Sequence, residues 1–188
     1  MTRAFAVSVS AVLAVAGACA CADALDGVLR VVSADVDIAH SVYTLHARIE
    51  YPMTPAIQDA LRDGVTLTFE LEARVVRDRH LWFDAGVADL MLRRELAYHS
   101  ISDRYVVRDV QSGEQQSFAT LDDALTALRA VDDWPILVSS QLTEGQRYLI
   151  SVRAGIRRGR LPASLRALLF WTNDWHRMSG WFTWPLPS

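Results

Sequence analysis

Apolar and polar residues alternate with a period of two along much of the chain. In SVYTLHARIEY, Tyr43, Leu45, Ala47 and Ile49 point one way, and Thr44, His46, Arg48 and Glu50 point the other. Successive side chains of a strand face opposite sides, so this pattern predicts a half-buried strand. VTLTFELEARVV repeats it, with Val65, Leu67, Phe69, Leu71 and Ala73 on an inner face and Thr66, Thr68, Glu70, Glu72 and Arg74 on an outer one. QRYLISVRAGI alternates on Tyr148, Ile150, Val152, Ala154 and Ile156. A first strand is expected over Val28 to Ala39, and a hairpin from RYVVRDV and QQSFAT with its turn at Gly113. GWFTWPL predicts a last strand, with Trp181 and Thr183 on one face and Phe182 and Trp184 on the other.

Two stretches carry helical signals. In MTPAIQDALRDG, Thr54 is placed to cap, Pro55 fits the first helical position, Ile57 and Leu61 share a face, and Gly64 ends the element. In TLDDALTALRAV, Thr120 caps, Asp123 takes the capping-box position, and Leu121, Leu125 and Leu128 line one side. This helix is expected to stop before DDWPI, with Asp132-Asp133 in a helix-end loop. Pro162 opens a third short helix, PASLRALLFW. Asp84 to Gly86, DAG, reads as a turn. VADLMLRRELAYHS has a helical composition, yet a helix would bring Arg94 and Glu95 onto its apolar stripe. Strand alternation keeps Ala88, Leu90, Leu92, Leu96 and Tyr98 together with only Arg94 out of place, so a strand pairing back on the preceding one is expected. Long alternating strands with short connections give the fold class: mainly β, an antiparallel two-layer, β-sandwich-like domain with two or three short helices.

The first residues change the picture. Met1-Thr2-Arg3 is a short basic region, Ala4 to Ala18 carries no charge, and small residues follow in Ala-x-Ala patterns. This is the layout of a secretory signal peptide, and the apolar run is short of the ~20 residues that a membrane span needs. The expected division is a signal peptide over 1–22 and one β-rich domain over 23–188. Cleavage after Ala22 would remove Cys19 and Cys21, the only two cysteines, and leave a periplasmic or exported chain without a thiol. The alternative is a lipoprotein anchor, with membrane contact through a lipidated Cys19 or Cys21.

Composition is that of a globular chain: 51% hydrophobic, 22% charged, formal net charge −3. All 19 basic residues are arginine. A mildly acidic total argues against nucleic acid as a partner. No nucleophile elbow, phosphate loop, dinucleotide fingerprint or metalloprotease pattern stands in the chain. His40, His46, His80, His99 and His176 are scattered, with no pair at helical metal-ligand spacing. His80 with Trp82 and Asp84 is at most a fragment of a site. No catalytic, cofactor-binding or metal-binding residue is therefore assigned, and no cofactor is expected. The strongest basic cluster is Arg153, Arg157, Arg158 and Arg160. With the aromatic end, it supplies the candidate partner-binding residues: Trp181, Phe182, Trp184, Arg157 and Arg158.

Three stretches, LWFDAGVADLMLRRELAYHSISDRYVV, QQSFATLDDALTALRAVDDWPI and GRLPASLRALLFWTNDWHRMSGWFTW, resemble the bacterial domain-of-unknown-function family 4390 in order and spacing. The region from Ala167 to Trp171 is bulkier and more aromatic than that family's pattern. The resemblance implies a small exported or membrane-tethered protein and carries over no catalytic residue. It also implies an envelope partner, a sensor histidine kinase. The function expected is a non-enzymatic periplasmic or membrane-associated interaction module, an accessory to such a kinase. The alternatives are a carrier of a small apolar ligand or lipid, its cavity lined from six Trp, five Tyr and six Phe, and an unrecognised hydrolase built on scattered His and Asp.

Overall fold

The computed structural model describes residues 27–78, 85–158 and 176–187. Along these the order is β1 (Arg30–Ala39), β2 (Val42–Glu50), α1 (Pro55–Arg62), β3 (Leu67–Arg77), β4 (Ala85–His99), β5 (Arg104–Asp109), β6 (Gln115–Phe118), α2 (Leu121–Arg129), β7 (Ala130–Val138), β8 (Tyr148–Arg158), β9 (His176–Met178) and β10 (Phe182–Pro185), with a 3-10 turn at Ser139–Gln141. The expected leader with Cys19 and Cys21, the His80–Trp82–Asp84 stretch, Arg160 and the helix expected from Pro162 lie outside the described residues.

The strands form two antiparallel sheets. One has three strands in the order β1-β2-β7. The other has seven: β10-β8-β3-β4-β5-β6, with β9 also on the free edge of β8. Between β9 and β10 the pairing is carried by Ser179, whose amide donates to the Ala154 carbonyl at 2.8 Å and whose Oγ accepts from the Ala154 amide at 2.9 Å. The inner faces meet in one apolar core. Tyr43, Leu45, Ala47 and Ile49 of β2 oppose Leu67, Phe69, Leu71, Ala73 and Val75 of β3 and Ile150, Val152, Ala154 and Ile156 of β8, all buried. The expected mainly-β, two-layer antiparallel architecture is what forms.

A three-stranded sheet cannot cover a seven-stranded one. It lies toward β8, which β1 contacts, while α2 packs on β5 and β6 as well as on β2 and β7, and α1 reaches β4. Both helices begin as their caps dictate. The Thr54 hydroxyl accepts from the Ile57 amide at 3.3 Å, and the Thr120 hydroxyl accepts from the Asp123 amide at 3.1 Å. The Thr120 hydroxyl also donates to the Asp123 carboxylate at 2.6 Å. Gly64, at φ +83°, takes the left-handed conformation that ends α1. Ile57 and Leu61 of α1, and Ala124, Leu125 and Leu128 of α2, turn into the core.

Arg94, the odd residue in the β4 alternation, has a reason to be there. Its Nη1 donates to the carbonyls of Ala127 at 3.3 Å and Ala130 at 2.8 Å. These lie at the C-terminal end of α2, where carbonyls lack helical partners and the helix dipole is negative.

Three expectations are corrected. Asp132-Asp133 is not in a helix-end loop but within β7, which follows α2 directly. β7 is an edge strand, where Pro135 loses no ladder bond and register shifts are absorbed. Ala85 and Gly86 are not a turn but the start of β4, paired with Arg77 and Val76. Thr68, Glu70 and Glu72, on the outer face of β3, are not solvated: they are 3%, 5% and 5% exposed.

Leu186 is buried in the core and its amide bonds the Tyr148 carbonyl at 2.9 Å, while Trp184 packs against the core. Deleting residues from Ser179 onward therefore uncovers the core and strips the outer edge of β8. The truncated chain is expected to lose cooperative thermal unfolding. A melt at the same temperature as the full chain would show that this end is not part of the core.

Candidate functional site

The burial of Glu70 and Glu72 defines the most organised cluster of charge among the described residues. β3 is central, so the outer face beside these carboxylates is furnished by β4 on one side and β8 on the other. At the Glu70 level, Arg93 of β4 is its register partner and Gly155 of β8 lies opposite. Arg93 Nε and Arg157 Nε both stand 3.1 Å from Glu70 Oε1, and His176 Nε2 is 3.9 Å from Oε2. At the Glu72 level, Arg153 Nε donates to Oε2 at 2.7 Å. Arg74 Nη2 donates to Glu72 Oε1 at 3.1 Å and to Asp89 at 3.3 Å. Ionised carboxylates are tolerated away from water only with such partners.

The carboxylates lie beneath and the guanidiniums above. The Arg93 and Arg157 side chains are 42% and 46% exposed, against 6% for Glu70. Trp181 extends the surface: the Arg153 and Arg74 guanidiniums lie 4.4 and 5.0 Å from its ring centroid, cation–π contacts that hold a ring 39% exposed.

The candidate partner-binding residues divide between faces. Trp181 and Arg157 share the outer face. Phe182 and Trp184, 5.4 Å apart and edge-on, turn toward the other face with Val152 and Ile150. Arg158 is paired in register with Leu67 at the end of β8. Residues that sequence reasoning did not assign to the site are Glu70, Glu72, Arg74, Asp89, Arg93, Arg153 and His176, although Arg153 stood in the basic cluster. The period-two pattern placed Glu70, Glu72 and Arg74 on one face, which was the signal available.

Elsewhere, His46 sits outside the three-stranded sheet with Asp37 at 3.5 Å and Asp132 and Asp133 at 4.0 Å, and Arg48 takes Asp132 at 2.7 Å. Among the described residues no group of three acidic, His or Cys side chains is placed to hold a metal. A groove of about 670 Å³ opens at the connection between β7 and β8, lined among others by Tyr43, Asp78, Leu142, Glu144, Tyr148 and Leu186. There the Thr143 amide donates to the Tyr148 phenol oxygen at 2.8 Å, which holds that phenol below the usual tyrosine range. In the core, burial pushes the Tyr51 phenol well above it.

These features define a mainly-β, two-layer antiparallel domain whose larger sheet exposes an arginine-rich face. The chain matches the family described as domain of unknown function (DUF4390) over residues 28–185 and belongs to that family. No curated protein and no solved structure matches it.

Arg153→Leu removes one partner of Glu72 and one cation from Trp181. Half-exposed surroundings moderate the loss, and a cost of about 1–3 kcal/mol in urea unfolding is expected. The double variant Glu72→Met with Arg153→Leu is expected to recover most of it, since no buried charge is then left with a missing partner. A double variant as unstable as the sum of the singles would show that charge pairing is not what holds this face.

Proposed function

We infer that the chain is a non-catalytic interaction module of the cell envelope and that its partner docks on the outer face of the seven-stranded sheet. The observation that supports this is the set of Arg93, Arg153, Arg157 and Trp181, fixed in place by Glu70 and Glu72 yet open to solvent. Arginine and tryptophan are the side chains most often found at the energetic centres of protein interfaces. The envelope location rests on the layout of residues 1–22, and a membrane sensor histidine kinase as the partner rests on the family resemblance. Thr183 stands on this face, exposed, and its hydroxyl shares a hydrogen bond with Ser151 at 2.8 Å. In intact cells a photo-crosslinking residue at Thr183 is expected to trap an envelope protein. The same group at Ile101, exposed on the β4–β5 turn, is expected to trap none. No adduct from Thr183 removes the reading.

A second reading, a carrier of a small apolar ligand, is favoured by the groove at the connection between β7 and β8. Mass spectrometry of gently purified protein is expected to show a bound lipid-like molecule in that case. Apo protein alone would remove it.

A further inference from the structure

The cations on the outer face are not evenly matched. Arg74 and Arg153 face Glu72 and Asp89, two against two. Around Glu70 the numbers differ: two guanidiniums converge on one carboxylate oxygen, with the His176 ring near the other. In both arginines the contact with Glu70 is made through Nε, and among the described residues no acceptor meets their paired terminal amino groups, which leaves them for an acceptor outside the sheet. Glu70 itself is 5% exposed and cannot meet a ligand. It acts as an internal anion that fixes two forks side by side.

Resting on the docking reading above, we propose that Arg93 and Arg157 together bind a carboxylate side chain of an acidic segment of the partner protein. The local excess is close to one positive charge, which matches a monoanion better than a phosphate carrying nearly two charges. Four arginines against three carboxylates across the cluster also make a weak field, and screening limits it to about 8–10 Å. Attraction to an anionic membrane needs many unmatched basic groups. Directional bonding from paired guanidinium forks needs only contact, and carboxylate is the geometry that such forks fit. Trp181, two rows along the same face, gives the segment an apolar surface to lie on.

The test uses the full chain and a fluorescein-labelled peptide of alternating glutamate and glycine, followed by anisotropy. The same peptide with glutamine, phosphatidylglycerol vesicles and inorganic phosphate are the comparisons. The glutamate peptide is expected to bind and the glutamine peptide not. Arg93→Gln and Arg157→Gln each leave Glu70 one arginine, so both variants are expected to melt cooperatively while binding falls about tenfold. Glu70→Gln keeps an amide oxygen that can hold both Nε groups in place and removes only the internal negative charge, so it is expected to tighten binding. A purely structural role for the cluster would make Glu70→Gln weaken binding along with the arginine variants, and that result overturns the proposal. So does equal binding of the two peptides, vesicle binding without peptide binding, or displacement of the peptide by phosphate at lower concentrations than by acetate. An adduct from Thr183 without a preference for the acidic peptide keeps the docking reading and removes this one. Peptide binding without an adduct leaves Arg93 and Arg157 as a carboxylate site and removes its assignment to a docked envelope partner.

Discussion

Two carboxylates on the middle strand of a wide sheet impose a condition on everything around them. Leaving either without a cation in a largely dry place would cost several kcal/mol. β3 is paired along its whole length with β4 and β8, so most of the cations come from those strands: Arg93 and Arg153 stand at the levels of Glu70 and Glu72, Arg157 reaches Glu70 from the level of Thr68, and Arg74 of β3 itself adds to Glu72. The three from β4 and β8 alternate with Leu92, Val152 and Ile156, which fill the core. A slip of one residue would send arginines into the core and leucines over the glutamates. Each face of β3 thus specifies the register that the other requires.

The condition reaches the free edge of β8. Gly155 stands opposite Glu70, and a Cβ there would lie 2.5 Å from Met178 Sδ. The missing side chain lets the Met178 thioether approach the sheet beside Glu70, and β9 brings His176 to the same carboxylate. On the inner side the opposite problem arises, because a narrow sheet must seal a broad one. Helix α2 solves it where the chain crosses from β6 to β7, and Arg94 satisfies the carbonyls at the end of that crossing. One arginine on the inner face of β4 serves the fold, and its neighbour Arg93 on the outer face serves the charge cluster.

Parity along a strand was legible in the sequence, and neighbours across strands were not. The alternation in β2, β3 and β8 gave the core faces correctly, because burial of one side is written into the local pattern. Caps at Thr54 and Thr120 were equally local. β7 was missed because Asp132, Asp133 and Pro135 resemble a loop, and only its place at an edge, set by the rest of the sheet, permits them. The burial of Glu70 and Glu72 was hidden for a related reason. Their partners on β8 are some eighty positions away in the chain, as with Arg153 and Glu72, and nothing local announces that β8 lies beside β3. The aromatic end shows both halves at once: the separation of Trp181 from Phe182 and Trp184 was readable, and the cations against Trp181 were not.

Arginine stands at every basic position of the chain, and its chemistry suits what each guanidinium of this cluster does. An ammonium is a compact point charge, and one that neutralises a carboxylate below it has no second planar surface to offer. A guanidinium bonds downward through one nitrogen, stacks its plane on an indole and still carries donors at its far end. Arg153 does the first two at Glu72 and Trp181. The pair of Arg93 and Arg157 does the first at Glu70 and retains the last. The contacts that stabilise the sheet therefore also fix the exposed donors before anything binds. Long side chains that are already ordered lose less freedom on association, so such a face is prepared for contact by the same interactions that fold it.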